Sequence, residues 1–497
     1  MKKQILFGFF CLICFHLPAQ QTTGYKVEMF GSVASGQNTP FWTVQHRWGV
    51  VPVEAGNGYL RGGVFRQQKI NSDWSFDAGL NLTGSTSDIY GNSYIQQLYA
   101  GLKWKTWKLS VGSQEEYTSL LNAELSSGDF VQSNHARPVP KIKLALHDFY
   151  TVPYTRGILS IKGDFSVGYY LDGQWQEDRA LPAKQPYTKN ILSHDKSLSF
   201  RFGNIEKNRQ QFIMQVQHAA QWGGVLYYYQ NAEYTVQHQP QGLDDLFRVA
   251  VAKEGSASAS GADRAYVAGS NWGAYVFKYD YRLKNNDRLS VYIDHFFEDG
   301  SGMVFKNYPD NLYGLEFSTT RRSLVSGIVL EYIYTKQQGG AVGNTLGLTG
   351  KNATELFQKG NGNDNYYNNV DYVTGPSYFG YTMGTPLFLP PVYNTDGSLN
   401  FKGIRISTFH FGLEGYVCPV LQYRLLLTAG KNWGRYYVPF RSVKKGFASQ
   451  LELIYNCPKI DGFSIRLSGG YDKGEFFGGD TFGGSITLNK RGVILSR

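Results

Sequence analysis

The sequence lacks any long hydrophobic run after its first 20 residues. No later stretch approaches the roughly 18 consecutive apolar residues that a transmembrane helix needs. A protein that spans a membrane without such helices must satisfy its backbone hydrogen bonds between strands, in a closed barrel. A secreted, soluble β-sandwich protein is the alternative that this absence leaves open.

The one hydrophobic run, at the start of the chain, has the pattern of an export signal. Lys2 and Lys3 precede an apolar run from Ile5 to Phe15, and Leu-Pro-Ala-Gln follows before Gln21. A basic start, an apolar centre and a small-residue cleavage site define a secretory signal peptide. We therefore predict that residues 1–20 are removed and that residues 21–497 form the exported protein, with an uncleaved anchor as the alternative.

Cysteine is also scarce. Of four cysteines, two lie in the predicted signal, which leaves Cys418 and Cys457, each followed by proline at the end of a predicted strand. Because exported proteins meet an oxidising compartment, we predict one disulfide between these two neighbouring turns. Two free thiols are the alternative.

Extended runs of one charge are absent, although the formal net charge is +10. Basic residues are scattered, with only small clusters such as Arg321-Arg322 and Lys444-Lys445. This distribution argues against a nucleic-acid partner. A basic exported protein attracts acidic polysaccharide or anionic lipid headgroups by long-range steering.

Aromatic residues and strict alternation are abundant. Aromatics make up 15% of the chain, and from Leu159 to Asp172 apolar and polar residues alternate without interruption. This run exceeds a typical strand of about 5 or 6 residues and suits a tilted strand that crosses an apolar band ~25 Å tall. The pattern recurs at 275–283, 423–429 and 463–471, which predicts many transmembrane strands.

Short turns such as Lys284–Asp287 and long loops such as Gly173–Asn190 and Gln337–Asn400 separate these strands. At roughly 25 residues per strand and connection, the chain predicts a closed antiparallel transmembrane β-barrel of about 18 strands, within a range of 16–20. Apolar spacing predicts one or two short helices, around Leu120–Leu125 and Gln241–Val249.

The longest loop, about 337–400, is our first candidate for a glycan site. Carbohydrate sites need flat rings under sugar C–H faces and planar polar groups for the hydroxyls. The loop offers both, and the candidates are Tyr366, Tyr367, Asn368, Asn369 and Tyr378. The alternative is that these residue types simply fill turns.

A second candidate is the acidic end of the strand that begins at Arg288, with Asp294, Glu298 and Asp299. Paired carboxylates can divide acid and base roles, and their oxygens suit calcium. The spacing of these residues lacks a regular calcium-binding loop, so we predict no metal, and we expect no cofactor. We predict instead that Asp294, Glu298 and Asp299 line the lumen and contact glycan.

A catalytic reading of Ser193, His194 and Asp195 fails on geometry. Successive strand residues point to opposite faces, whereas a catalytic triad needs converging side chains. We therefore expect that the protein is not an enzyme.

Several short motifs, in order along the chain, resemble the Wzi-type capsule-assembly family, in a branch associated with Bacteroidetes. They are Thr39-Pro40-Phe41-Trp42, Leu125-Ser126-Ser127-Gly128, Ala136-Arg137-Pro138-Val139-Pro140, Gly242-Leu243-Asp244-Asp245, His295-Phe296-Phe297-Glu298-Asp299-Gly300, Tyr366-Tyr367-Asn368-Asn369 and Gly384-Thr385-Pro386-Leu387-Phe388. The resemblance implies an 18-stranded outer-membrane barrel that holds surface polysaccharide as a lectin. Trp272 departs from the histidine that is common in that family.

Together these observations predict a non-enzymatic, lectin-like protein in the outer membrane of a Gram-negative bacterium. Its expected partners are capsular or other surface polysaccharide and outer-membrane lipid, and we expect a monomer. The alternative function is a general porin or outer-membrane transporter for small solutes.

Overall fold

We analysed a computed structural model of the chain, which describes residues 21–256, 258–260, 268–339 and 364–496. The predicted signal peptide lies outside the described residues.

Eighteen antiparallel strands form one closed barrel, which confirms the predicted fold and strand number. Each strand pairs with its neighbours in sequence, and the last strand pairs with the first, from Thr22 opposite Ser496 to Ala34 opposite Gly483. The strands are β1 (Gln21–Ala34), β2 (Asn57–Lys69), β3 (Trp74–Ser85), β4 (Ser93–Trp104), β5 (Trp107–Ser113), β6 (Lys141–Thr151), β7 (Leu159–Tyr169), β8 (Leu192–Gly203), β9 (Gln210–Trp222), β10 (Ser270–Arg282), β11 (Arg288–Phe297), β12 (Asn311–Ser318), β13 (Gly327–Tyr334), β14 (Ile406–Cys418), β15 (Leu421–Gly434), β16 (Pro439–Asn456), β17 (Phe463–Lys473) and β18 (Thr481–Ser496).

The alternation in the sequence determines which side chains face the lipid. On β7, Phe165 points outward and is 43% exposed, while Ser160 and Ser166 point inward and are buried. On β11, Val291 is outward and Asp294 inward in the same way. A closed barrel with an apolar exterior and a polar interior is the form in which strands cross a bilayer. The protein is therefore an outer-membrane protein of a Gram-negative bacterium.

The two ends of the barrel differ in the length of their connections. One end has short turns, such as Pro419 and Val420 between β14 and β15. The other end carries five long loops, and in such barrels the long loops are extracellular. We name them loop A (35–56), loop B (114–140), loop C (170–191), loop D (223–269) and loop E (335–405).

The described residues of loops A, B and E fold into the lumen, where their side chains pack together. Trp42 of loop A, Phe130 of loop B and Tyr367 of loop E belong to one buried cluster. The loops are tied to the barrel wall, since Trp42 Nε1 donates to Thr428 Oγ1 at 3.0 Å and the Phe130 amide donates to Asp294 Oδ2 at 3.0 Å.

Short helices interrupt the connections, and there are more of them than predicted. They are α1 (Phe41–Val44), α2 (Gly173–Ala183), α3 (Ile205–Asn208), α4 (Leu243–Ala250) and α5 (Gly300–Met303), with single 3₁₀ turns at Pro391–Tyr393 and Glu475–Phe477. No helix among the described residues is long and apolar enough to cross a membrane. Loops C and D also form a small sheet from Tyr187–Lys189, Val225–Gln230 and Glu233–His238.

Of the two helices predicted from apolar spacing, only one forms. The prediction at Gln241–Val249 is confirmed by α4. The prediction at Leu120–Leu125 is wrong, because Asn122 Oδ1 accepts from the amides of Glu124 and Leu125, both at 3.0 Å, and holds a turn instead. Leu125 is nevertheless fully buried, as part of the material that fills the barrel.

Helix α4 lies against the outside of the barrel. Its Val249 packs with Ala220 and Trp222, which stand two apart at the extracellular end of β9. Its opposite face bears Leu243, 86% exposed, and Phe247, 62% exposed. Loop D therefore shields this part of the outer wall.

The predicted disulfide is absent, and both cysteines are free thiols. Cys418 ends β14 and pairs with Leu421 of β15, which in turn pairs with Tyr455 near Cys457. The width of β15 therefore separates the two thiols. Two strand spacings amount to roughly 9.5 Å, whereas disulfides need Cα atoms within about 7 Å.

Candidate functional site

Tyr366 and Tyr367 are buried inside the barrel and do not face the solvent. The Tyr366 hydroxyl donates to Asp310 Oδ2 at 3.1 Å, and the Tyr367 hydroxyl donates to the carbonyl of Phe130 at 2.5 Å. Both rings meet the edge or face of Phe296, at centroid distances of 4.7 and 5.5 Å. In this position the two rings hold loop E against β11 and loop B, and their contact with sugar stays a prediction.

The neighbouring candidates in loop E are also structural. Asn368 makes a two-way link to the backbone of Phe401, donating at 3.1 Å and accepting at 3.0 Å. Asn369 Oδ1 accepts from the amides of Asp371 and Tyr372 and closes a turn. Tyr378 is buried edge-on against Tyr170 of loop C. Asn368 and Asn369 are half-buried and Tyr378 is buried, and contact of these three side chains with glycan stays a prediction.

The acidic residues at the end of β11 act as anchors for backbone amides. Asp294 is the partner of Phe130 described above, and Glu298 accepts from the amide of Tyr367. Burial raises the pKa of the Glu298 carboxyl well above its usual range. Asp299 Oδ1 accepts from the amides of Ser301 and Gly302 and so caps α5. Asp294 and Glu298 therefore fix loops B and E, Asp299 fixes α5, and contact of these acids with glycan stays a prediction.

The structure separates the residues that were weighed as a catalytic group. Asp195 accepts from Ser166 Oγ at 3.1 Å and pairs with Lys141 at 3.4 Å. The His194 ring instead packs 4.6 Å from the outward Phe165 ring. Within the described ranges, no group of three or more His, Cys, Asp and Glu side chains could hold a metal ion.

Two cavities lie between the described residues inside the lumen, and both are small. One of about 70 Å³ lies between loop B and the wall, near Trp48, Glu116, Arg137 and Lys143. A second, of about 10 Å³, lies near Asp164, Lys196 and Gln217. Since one water needs roughly 10–15 Å³ of such volume, these cavities have room for a few waters but not for a solute.

A much larger cavity opens at the extracellular end, between loops A, C and E. Its volume is about 660 Å³, and we call it the rim cavity. Helix α2 provides Asp178, Arg179 and Pro182, loop E provides Asn394 and Asp396, and loop A provides Asn38. This volume lies within the range of small-molecule sites, about 300–1,000 Å³.

Polar groups at the rim cavity are held in place by their own partners. The Arg179 guanidinium stacks 4.9 Å from the centroid of the Trp175 ring, and its Nη1 reaches the Asn394 carbonyl at 3.5 Å. Asp178 accepts from Gln174 at 2.7 Å, one helical turn away. A guanidinium and a carboxylate side by side offer donors and acceptors to sugar hydroxyls. Sequence reasoning missed this site because its residues come from three separate loops.

The position of α2, and hence of the rim cavity, depends on Asp172. Its carboxylate accepts from the Phe379 amide and from Gln176 Nε2, both at 3.1 Å. Burial raises the pKa of Asp172 to about 6. Because this pKa is above the ordinary value, the contribution of Asp172 to stability is complete below about pH 4 and is lost as pH rises through 6.

We therefore expect α2 to exchange its amide hydrogens faster at about pH 8 than at about pH 4, by up to roughly 100-fold after correction for intrinsic rates. Hydrogen exchange with mass spectrometry on peptides covering 173–183 checks this. Helix α4, which has no buried acid at its start, provides the internal control. Equal corrected rates for α2 at both pH values would contradict the linkage.

Comparisons with known proteins support the architecture. No protein-family model matches the chain, and no curated protein matches it. Among solved structures, it is similar to Wzi of Escherichia coli, described as an outer membrane protein involved in group 1 capsule assembly and a carbohydrate-binding β-barrel, with 12% identity, a TM-score of 0.55 and coverage of 93% of this chain and 83% of that one. OprD of Pseudomonas aeruginosa has 9% identity, a TM-score of 0.49 and coverage of 95% and 94%. At 12% identity, the similarity to Wzi shows the fold alone.

Proposed function

We propose that this protein is a non-enzymatic, lectin-like outer-membrane barrel of the Wzi type, which helps to attach capsular or other surface polysaccharide to the cell. The observation that carries the proposal is the rim cavity, which is open at the extracellular end and bears fixed donors and acceptors. The ordered family motifs in the sequence and the similarity to a carbohydrate-binding barrel support it.

The packed lumen favours this function over the alternative of a porin or transporter for small solutes. Loops A and B donate to the inward-facing wall residues Thr428 and Asp294, and loop E packs on loop B through the hydroxyl of Tyr367. The two lumen cavities described above have room for only a few waters. A porin instead keeps a water-filled channel through its barrel. A binding surface at the extracellular end needs no such channel.

A gene deletion tests the proposed role in the cell. We expect the deleted strain to lose cell-bound polysaccharide and to release the polymer into the medium. Polymer in the cell-bound and soluble fractions is measured by immunoblot or by sugar analysis after centrifugation. Normal retention in the deleted strain, together with steady ion conductance of the pure protein in planar bilayers, would favour the porin.

Two substitutions test the site. Asp178→Asn combined with Arg179→Gln is expected to weaken binding of the host's surface polysaccharide to the purified barrel by about tenfold or more, because hydrogen bonds to charged groups are lost. Isothermal titration calorimetry measures the change. The matched control is Asp244→Asn with Arg248→Gln, an exposed acid and a half-buried base on α4 with the same change in charge. Unchanged binding in the first variant would remove the rim cavity from the proposal.

A further inference from the structure

Two lysines stand directly opposite each other on the outer face of β15 and β16. The register pairs Lys431 with Lys445, and both side chains are exposed. Like charges that face each other across two strands destabilise a sheet. Neither lysine forms an ion pair with a carboxylate in the part of the chain that the structure describes. An anion bound between the two ammonium groups would therefore relieve their repulsion.

The lysine pair lies at the extracellular boundary of the lipid-facing wall. The outward side chains below Lys431 on β15 are Leu425, Leu427 and Ala429, so that Lys431 is the first outward charge on this strand above the apolar residues. From Leu421, at the short-turn end, to Lys431 the strand rises about 25 Å along the membrane normal, given ~3.3 Å per residue and a tilt of ~40°. That distance equals the height of the apolar band.

The strands that carry the lysine pair add positive charge. Residues 415–451 contain six basic residues and no Asp or Glu. Nearby lysines are already paired, since Lys473 meets Asp480 at 2.7 Å and Lys444 meets Glu475 at 3.8 Å. Lys431 and Lys445 form no ion pair among the described residues, and neither do Arg435 and Arg441 of the same segment, so this surface carries a net positive charge.

An apolar groove of about 610 Å³ opens on the outer wall just below the pair. Its upper edge is the row Phe409, Ala429 and Phe447, which pair across β14, β15 and β16 two positions below the lysine row. Ala429 is the small residue between two phenylalanines and leaves the space open. Below it the groove is lined by Leu427, Phe411 and Leu330, with Val291 and Leu315 on the far side.

We propose that this groove and lysine pair bind a phosphorylated, acylated lipid of the outer leaflet, with its phosphate between Lys431 and Lys445 and an acyl chain in the groove. The groove supplies apolar contact at the depth of the acyl chains, and the lysines supply two ammonium groups at the depth of the headgroups. Charge complementarity selects an anionic lipid over a neutral one.

Native mass spectrometry of the detergent-purified protein, titrated with bis-phosphorylated lipid A, tests the headgroup contact. In Lys431→Gln with Lys445→Gln, we expect binding to weaken by roughly 30-fold, as the loss of two lysines at a charged surface predicts. Lys253→Gln with Lys459→Gln removes the same charge from exposed loops and should bind as the unchanged protein does. Equal affinity of both double variants would overturn the proposal.

A second variant tests the groove. Ala429→Trp fills the space between Phe409 and Phe447 and should weaken binding of both lipid A and its dephosphorylated form, whereas the lysine variant should affect only the phosphorylated lipid. Heat-modifiable gel mobility confirms that each barrel is folded. If Ala429→Trp leaves both affinities unchanged, or if inorganic phosphate binds as tightly as lipid A, the lipid site is refuted.

Discussion

Replacing Glu452 with alanine is expected to lower the free energy of unfolding by about 3–5 kcal/mol. Glu452 of β16 is fully buried in the barrel and accepts from three guanidinium groups. Its distances are 2.7 Å to Arg47 of loop A, 2.6 Å to Arg424 of β15 and 3.5 Å to Arg466 of β17. The substitution removes the common partner of the three guanidinium groups. Of these, Arg424 is buried and keeps only Glu124 as an ion-pair partner among the described residues, so the loss exceeds that of a single hydrogen bond.

Urea titration of the protein in detergent micelles, followed by heat-modifiable gel mobility, measures this change. Glu233→Ala, an exposed acid in the small extracellular sheet, is the control and should change the unfolding free energy by less than about 0.5 kcal/mol. Glu452→Gln, which keeps an acceptor but not the charge, should fall between the two. A Glu452→Ala protein with unchanged stability would show that the arginines find other partners.

Replacing Glu331 with alanine is expected to destabilise the protein and also to unblock the lumen by releasing loop B. Glu331 of β13 accepts from the Ser126 hydroxyl at 2.6 Å, from the Ser127 amide at 2.8 Å and from the Tyr292 hydroxyl at 2.6 Å. It thereby ties loop B to the wall. Each buried donor left without a partner costs about 1–3 kcal/mol, so we expect a total loss of roughly 4 kcal/mol and release of loop B.

Conductance in planar bilayers distinguishes release of the loop from general unfolding. The unchanged protein should show no steady current, while Glu331→Ala should produce discrete steps as loop B leaves the lumen. Glu331→Gln retains the carbonyl acceptor and should remain closed. If the wild-type protein carries a steady current as large as that of Glu331→Ala, the packed lumen does not block ions.

Most of the barrel could be predicted from local patterns in the sequence. Strict alternation, as in Leu159–Asp172, indicates a strand with one apolar and one polar face, and this pattern does not depend on which strands are its neighbours. The positions and the number of the strands could therefore be predicted. The spacing of apolar residues predicted α4 for the same reason. It failed at Leu120–Leu125, where a side chain of Asn122 competes for the backbone amides.

The candidate site could not be predicted in this way. Tyrosine and asparagine serve equally to bind sugar and to pack a loop, and the packing of Tyr367 depends on a contact with Phe130, 237 positions away, which no local pattern shows. Helix α2 could not be predicted from the sequence either, because Pro182 lies inside it and no side chain caps its start. Without α2, nothing in the sequence brings Arg179 towards Asn394.

Closure of the barrel has a consequence for its biogenesis. The pairing of β1 with β18 joins the segments that are furthest apart in the sequence. Forming this last pair, the seam of the barrel, therefore has the highest loop-closure entropy cost of all the strand pairs. Until that seam forms, two strand edges offer unpaired amides and carbonyls to other chains. The polypeptide must therefore be fully synthesised before the barrel can close, and it has to be kept from aggregating on its way to the membrane.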